Sequence, residues 1–213
     1  MIPLAPEMLQ CAVESASFKV FAREFTELYN PAILADKLAP ILRDNPKLAE
    51  QLQNAIAKGD KAQLGIARGA LMEKLFADML RPYVDEIQTD VGAFDSCGKR
   101  RLTDFTGRAK CDLGFSGNPN DKVRAGERFS VEVKTGSEGY LREQFKPGGH
   151  IEHQASAHDG KPVVFVSREF KNLSPEVQSE IRDRFRQKDT VIVAGLPNTA
   201  VMDSACRKAI SSV

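Results

Sequence analysis

The chain has 213 residues, 42% of them hydrophobic, and a net charge of +1, which suits one large domain or a domain with an extension and excludes both a disordered chain and a uniformly basic nucleic-acid coat. No apolar run approaches the roughly 20 residues of a membrane span, and Met1-Ile2-Pro3-Leu4-Ala5-Pro6 lacks the basic and apolar regions of a signal peptide, so the expected setting is a cytoplasm with no membrane partner. The four cysteines, Cys11, Cys97, Cys111 and Cys206, are scattered without a CxxC pair and read as free thiols rather than zinc ligands.

Residues 1–58 read as a helical N-terminal segment, with Phe18, Val20, Phe21, Phe25, Leu28 and Tyr29 at mixed spacings of three and four. Asn30-Pro31, Ala39-Pro40 and Asn45-Pro46 divide it into short helices, because the residue before proline is pushed out of the helical region. Residues 59–213 form the second predicted domain. It opens with a helix over 61–80 whose stripe of Leu64, Ala67, Leu71, Leu75 and Leu80 is flanked by Glu73. Val84 to Val91 is a first strand, Gly92 to Arg108 a polar loop with the run Lys99-Arg100-Arg101, and Ala109 to Phe115 a second strand carrying Asp112.

A Gly-, Asn-, Pro- and Asp-rich connection over 116–128 leads to the most regular strand, Phe129-Ser130-Val131-Glu132-Val133-Lys134-Thr135. Glu132 and Lys134 are two apart and share a face, about 7 Å from one another along the strand. A loop with Tyr140, Arg142 and Lys146 follows, then a helix from His150 to His158, a buried strand Pro162 to Val166, a helix capped by Ser174-Pro175, and a buried strand Thr190 to Gly195. This order predicts an α/β fold with a central mixed sheet flanked by helices. From Cys97 to Lys146 there are eleven Lys and Arg against seven Asp and Glu, so a basic surface beside the Glu-x-Lys strand is expected. His150, His153 and His158, the only histidines, do not share one helical face and lack partners of zinc-site spacing.

Asp112 in Cys-Asp-Leu-Gly-Phe, followed by Glu132-Val-Lys134 and by Gln154 on a helix, with Glu73 on an earlier helix, resembles the PD-(D/E)XK, or restriction-endonuclease-like, nuclease superfamily. Cys111 stands where the eponymous proline would be. The resemblance implies a three-layer core and a metal-dependent nuclease. Asp112, Glu132 and the Val133 carbonyl would hold Mg²⁺, with Mn²⁺ as a substitute. Lys134 would orient or deprotonate the attacking water, and Gln154 or its rival Gln144 would contact substrate or water. Glu73 would assist directly or through water.

Glu-x-Lys by itself is a common surface pair, and its weight comes from the surrounding elements. DNA is the expected substrate, with RNA as the alternative. The compact arrangement is similar to secreted bacterial nuclease toxins, which implies an immunity protein as partner, delivery without a classical signal peptide and action in a target cytoplasm. A restriction or repair nuclease, and a catalytically idle nucleic-acid-binding module of the same fold, remain open.

Overall fold

A computed structural model of the chain describes residues 31–95, 97–115, 120–195 and 199–210. The aromatic positions from Phe18 to Tyr29 lie outside the described residues. The chain divides into two compact units, Met1–Phe76 and Ala77–Val213.

In the first unit, α1 (Pro31–Asp44) buries Leu38, Ile41 and Leu42, and α2 (Pro46–Lys58) buries Leu48, Ala49, Leu52 and Ala55. Pro31 and Pro46 open helices, as a residue fixed near helical φ without an N–H can do at no cost. Pro40 does not break the chain as expected and lies inside α1. It offers no N–H to the Asp36 carbonyl, and both residues are exposed, so water can serve that carbonyl. Gly59 ends α2 in the left-handed region at φ 63° and returns its N–H to the carbonyls of Ala55 and Ile56. The Asp60 side chain then accepts from the Ala62 and Gln63 amides at 3.0 and 3.1 Å, which starts α3 (Lys61–Leu80). The predicted stripe of α3 is buried at Ala67, Leu71, Leu75 and Leu80.

The second unit is built on a five-stranded mixed sheet. Its strands are β1 (Val84–Phe94), β2 (Arg100–Ala109), β5 (Arg128–Lys134), β6 (Lys161–Val166) and β7 (Val191–Ala194), in the order β1-β2-β5-β6-β7. The first three run antiparallel and the last three parallel. A separate ladder pairs β3 (Leu113–Gly114) with β4 (Lys122–Val123). Two expectations change here. Most of the stretch taken as a polar loop is β2, paired with β1 from Arg100 to Ala109 except at Asp104 and Gly107, and the expected second strand shrinks to the two residues of β3. Cys111, Leu113 and Phe115 are buried alternately, as strand residues are, but only Leu113 belongs to a ladder.

Helices α4 (Glu138–Phe145), α5 (His150–Ala157) and α6 (Pro175–Arg186) lie on the sheet face that carries Val164, Val166 and Ile192. The segment taken as a loop around Tyr140 is therefore helical, and Ser137 caps it by accepting from the Tyr140 amide. Phe145 sits edge-on to Phe170 and Phe185 at 5.7 and 5.5 Å in this layer. On the opposite face Phe115 meets Phe165 edge-on at 5.4 Å. A last helix, α7 (Thr199–Ile210), is tied to the rest of this unit by the Tyr83 hydroxyl donating to Asp203 at 2.5 Å.

Cys111 and Cys206 form a disulfide with Cα atoms 5.1 Å apart, which corrects the expectation of free thiols for these two; Cys97 is free and exposed. The bond closes a loop across a sequence separation of 95 residues, large enough to restrict the unfolded chain strongly. Reduction, or Cys206→Ser, is expected to lower the unfolding free energy by about 2–4 kcal/mol. A urea titration with and without reductant checks this, and coincident midpoints would show that the bond adds no stability.

Candidate active site where β2 parts from β5

Phe105 pairs with Val131, but one step further along the two strands stop exchanging backbone hydrogen bonds. Side chains of β2 take over. Thr103 Oγ1 donates to the Val131 carbonyl at 2.8 Å, and Asp104 Oδ2 accepts from the Val133 amide at 2.6 Å. The buried backbone groups of β5 therefore stay satisfied although the strands separate. Alternation from the Phe105–Val131 pair puts Asp104 on the same face as Glu132 and Lys134.

Glu132 is only 5% exposed, and both its oxygens are engaged. Oε2 accepts from Lys134 Nζ at 2.6 Å, while Oε1 accepts from the Gln154 amide, which also donates to the Leu102 carbonyl of β2. Gln154, the buried polar residue of α5, thus spans the gap between the two strands. Its own carbonyl oxygen is buried with no partner among the described residues. It borders a cavity of about 10 Å³ lined also by Ser130 and Glu132, room for about one water molecule.

Burial alone would pull the Lys134 pKa down. The Glu132 and Asp104 carboxylates, the hydrogen bond to Glu132 and Tyr140 outweigh it, and the pKa rises, so Lys134 is a cation at neutral pH. His150, the first residue of α5, is held below its ordinary pKa by burial and by the Lys134 charge, against the pull of Glu132, with Arg101 and His153 adding to the lowering. It is therefore neutral at pH 7. Gly149 before it admits no side chain, because a Cβ would stand 2.7 and 2.8 Å from the carbonyl oxygens of Lys146 and Gln144.

The site residues expected within the second unit separate into two groups. Glu132, Lys134, Gln154 and the Val133 backbone come together with Asp104, which the sequence reading missed. Asp112 lies instead in the connection between β2 and β3, exposed, where its carboxylate accepts from the Ala125 amide at 2.9 Å and stands 4.0 Å from Lys122. Gln144 is half-buried on α4. Glu73 belongs to the first unit, half-buried on α3. Among the described residues no three His, Cys, Asp or Glu side chains form a metal-holding group. Asp104 and Glu132, with a backbone carbonyl, are a donor set of the kind Mg²⁺ accepts, since that ion keeps several waters and uses one or two carboxylates plus substrate phosphate.

No protein-family model, curated protein or solved structure matches the chain.

His158, at the end of α5, is a second histidine with a lowered pKa: burial lowers it, while Glu132 and Asp159 act the other way. Its Nε2 is buried without a partner among the described residues, so protonation would place an unpaired charge there. Folding depresses this pKa, so the unfolded chain binds the proton first as the pH falls. Stability is expected to be full above the unfolded value near 6.5 and to decline below it. Urea midpoints from pH 7.5 to 5.5 should fall less steeply for His158→Gln than for the parent, and identical slopes would remove His158 as the cause.

Proposed function

We propose that the chain is a metal-dependent nuclease that hydrolyses phosphodiester bonds, DNA foremost, with a restriction-endonuclease-like core. One observation carries this reading: Asp104 and Glu132 line the opening between two strands with a half-buried, charged lysine on Glu132, next to the backbone of Val133. The strand order supports it, an antiparallel β1-β2-β5 meander followed by a parallel crossover through α4 and α5 to β6.

A bound Mg²⁺ would polarise the phosphate and lower the pKa of its own water. Asp104 and Glu132 are the carboxylates to hold it, each oxygen that accepts one hydrogen bond keeping a second lone-pair direction. Lys134, as a cation, faces the negative charge that builds on the phosphate and orients the attacking water. Gln154 fixes the Glu132 carboxylate through its amide. Neutral His150 at the mouth can accept a proton or pass one on.

The Cys111–Cys206 disulfide supports a secreted nuclease, because such bonds persist in oxidising compartments. In that setting an antibacterial effector with a cognate immunity protein is the reading we favour over a restriction or repair enzyme.

Plasmid DNA and total RNA, each incubated with Mg²⁺ or with EDTA, test the reading. Asp104→Asn, Glu132→Gln and Lys134→Ala are each expected to slow Mg²⁺-dependent DNA cleavage by about 10²–10³-fold, while Asp112→Asn cuts like the parent. Activity lost in Asp112→Asn and kept in Asp104→Asn would reverse the assignment of the two aspartates. Absence of cleavage of both nucleic acids with Mg²⁺ and with Mn²⁺ would leave the binding module.

A further inference from the structure

Beyond the four residues of β2 that pair with β5, the β1–β2 ladder runs on as a two-stranded ribbon to Phe94 opposite Arg100. On β2, Arg101, Thr103 and Phe105 form the more buried set, and Arg100, Leu102 and Asp104 the more open one. Phe94 and Leu102 stand on that open face, 69% and 49% exposed, two of the five exposed large hydrophobic residues among those described. Leu102 lies about 7 Å and Arg100 about 13 Å from Asp104 along the strand.

The Arg100 guanidinium lies against the backbone of Gly92, where a Cβ would meet it at 2.7 Å. The ribbon end is also held in shape. Asp95 accepts from the Cys97 and Lys99 amides at 3.0 and 2.9 Å and from Arg101 at 2.8 Å, and these bonds, the Lys99 amide foremost, lower its pKa.

Charge points to the same place. Of the eleven basic residues from Cys97 to Lys146, eight have a carboxylate within 4.0 Å: Arg101, Arg108, Lys110, Lys122, Arg128, Lys134, Arg142 and Lys146. Of these eleven, Lys99, Arg100 and Arg124 make no ion pair among the described residues, and two of these three are on the ribbon.

We infer that this ribbon is the substrate-holding arm of the proposed nuclease and that its occupant is single-stranded nucleic acid. Phe94 stacks on an unpaired base, and Arg100 and Lys99 hold the flanking phosphates. The inference rests on the nuclease reading. An exposed ring beside unpaired cations, on the same strand face as the candidate metal carboxylate, is the combination that grips a single strand irrespective of sequence.

The test is fluorescence anisotropy of a labelled single-stranded DNA oligonucleotide of mixed sequence. It uses the full chain carrying Lys134→Ala, so that bound strand is not cut, alone and combined with Phe94→Ala, Phe94→Tyr or Arg100→Ala. Phe94→Ala is expected to weaken binding about tenfold, with Phe94→Tyr keeping the affinity and Arg100→Ala reducing the salt slope by about 0.7. Unfolding midpoints confirm that these exposed positions leave the fold intact. Equal affinity of Phe94→Ala and its parent overturns the inference. So does a Phe94→Ala chain that loses self-association in sedimentation while binding DNA as before, which would make the ribbon a contact between copies. Mg²⁺-dependent cleavage with Lys134 restored separates the two readings: cleavage retained with affinity unaffected by Phe94→Ala removes only the arm, whereas neither cleavage nor binding in any variant removes the nuclease and the arm together.

Discussion

Everything at the candidate site depends on two side chains standing in for two ladder hydrogen bonds. A buried amide or carbonyl left unpaired costs about 1–3 kcal/mol, so β2 and β5 cannot simply separate. Thr103 and Asp104 satisfy the Val131 carbonyl and the Val133 amide from the side, and the strands come apart without that cost. The opening admits the Gln154 amide, which ties Glu132 on one strand to the Leu102 carbonyl on the other. Asp104 thus satisfies the backbone of β5 from a position that also sets its carboxylate on the face of Glu132 and Lys134.

The charges inside the opening constrain one another. Lys134 loses hydration there, and only the two carboxylates and their hydrogen bond keep its proton affinity high. The relation is reciprocal: a dication on Asp104 and Glu132 would neutralise the charges that hold the Lys134 proton. Such a dication would therefore ease loss of the Lys134 proton, the condition for the lysine to act as a base at neutral pH. The same reciprocity makes the trio a poor source of stability, since each charge is costly to bury without the others.

Much of this arrangement was legible in the sequence because it follows from strict periodicities. The span of α3, the β6 core run, the serine-capped α6 and the same-face placement of Glu132 and Lys134 all have one spacing rule behind them. Asp104 was hidden because Arg100, Arg101, Asp104 and Arg108 give β2 the composition of a loop. Those charges are tolerated since β2 leaves the sheet and keeps an open face. Gly98, at φ 71° between two runs of strand length, was the available hairpin signal. Asp112 sits in a stretch of the opposite kind. Buried Cys111, Leu113 and Phe115 around it imitate strand alternation, although a disulfide and a two-residue ladder hold them.

The ribbon raises a last physical question, because β1 is an eleven-residue edge strand and such edges invite pairing with other chains. Two features blunt it. Glu86 and Asp90 adopt left-handed backbone at φ 56° and 55°, which costs each of them about 1–2 kcal/mol, and the register with β2 shifts between Asp85 and Gln88. The edge thereby departs from regular strand backbone at two positions and is lined with Asp85, Glu86 and Asp90, so a flat strand of another chain finds neither a continuous ladder nor a neutral surface. Asp90 falls at the step of the ladder opposite Asp104, where β1 and β2 skip a regular pair. The distortion that protects the edge therefore lies beside the residue that opens the site, so any change that straightens β1 bears on both.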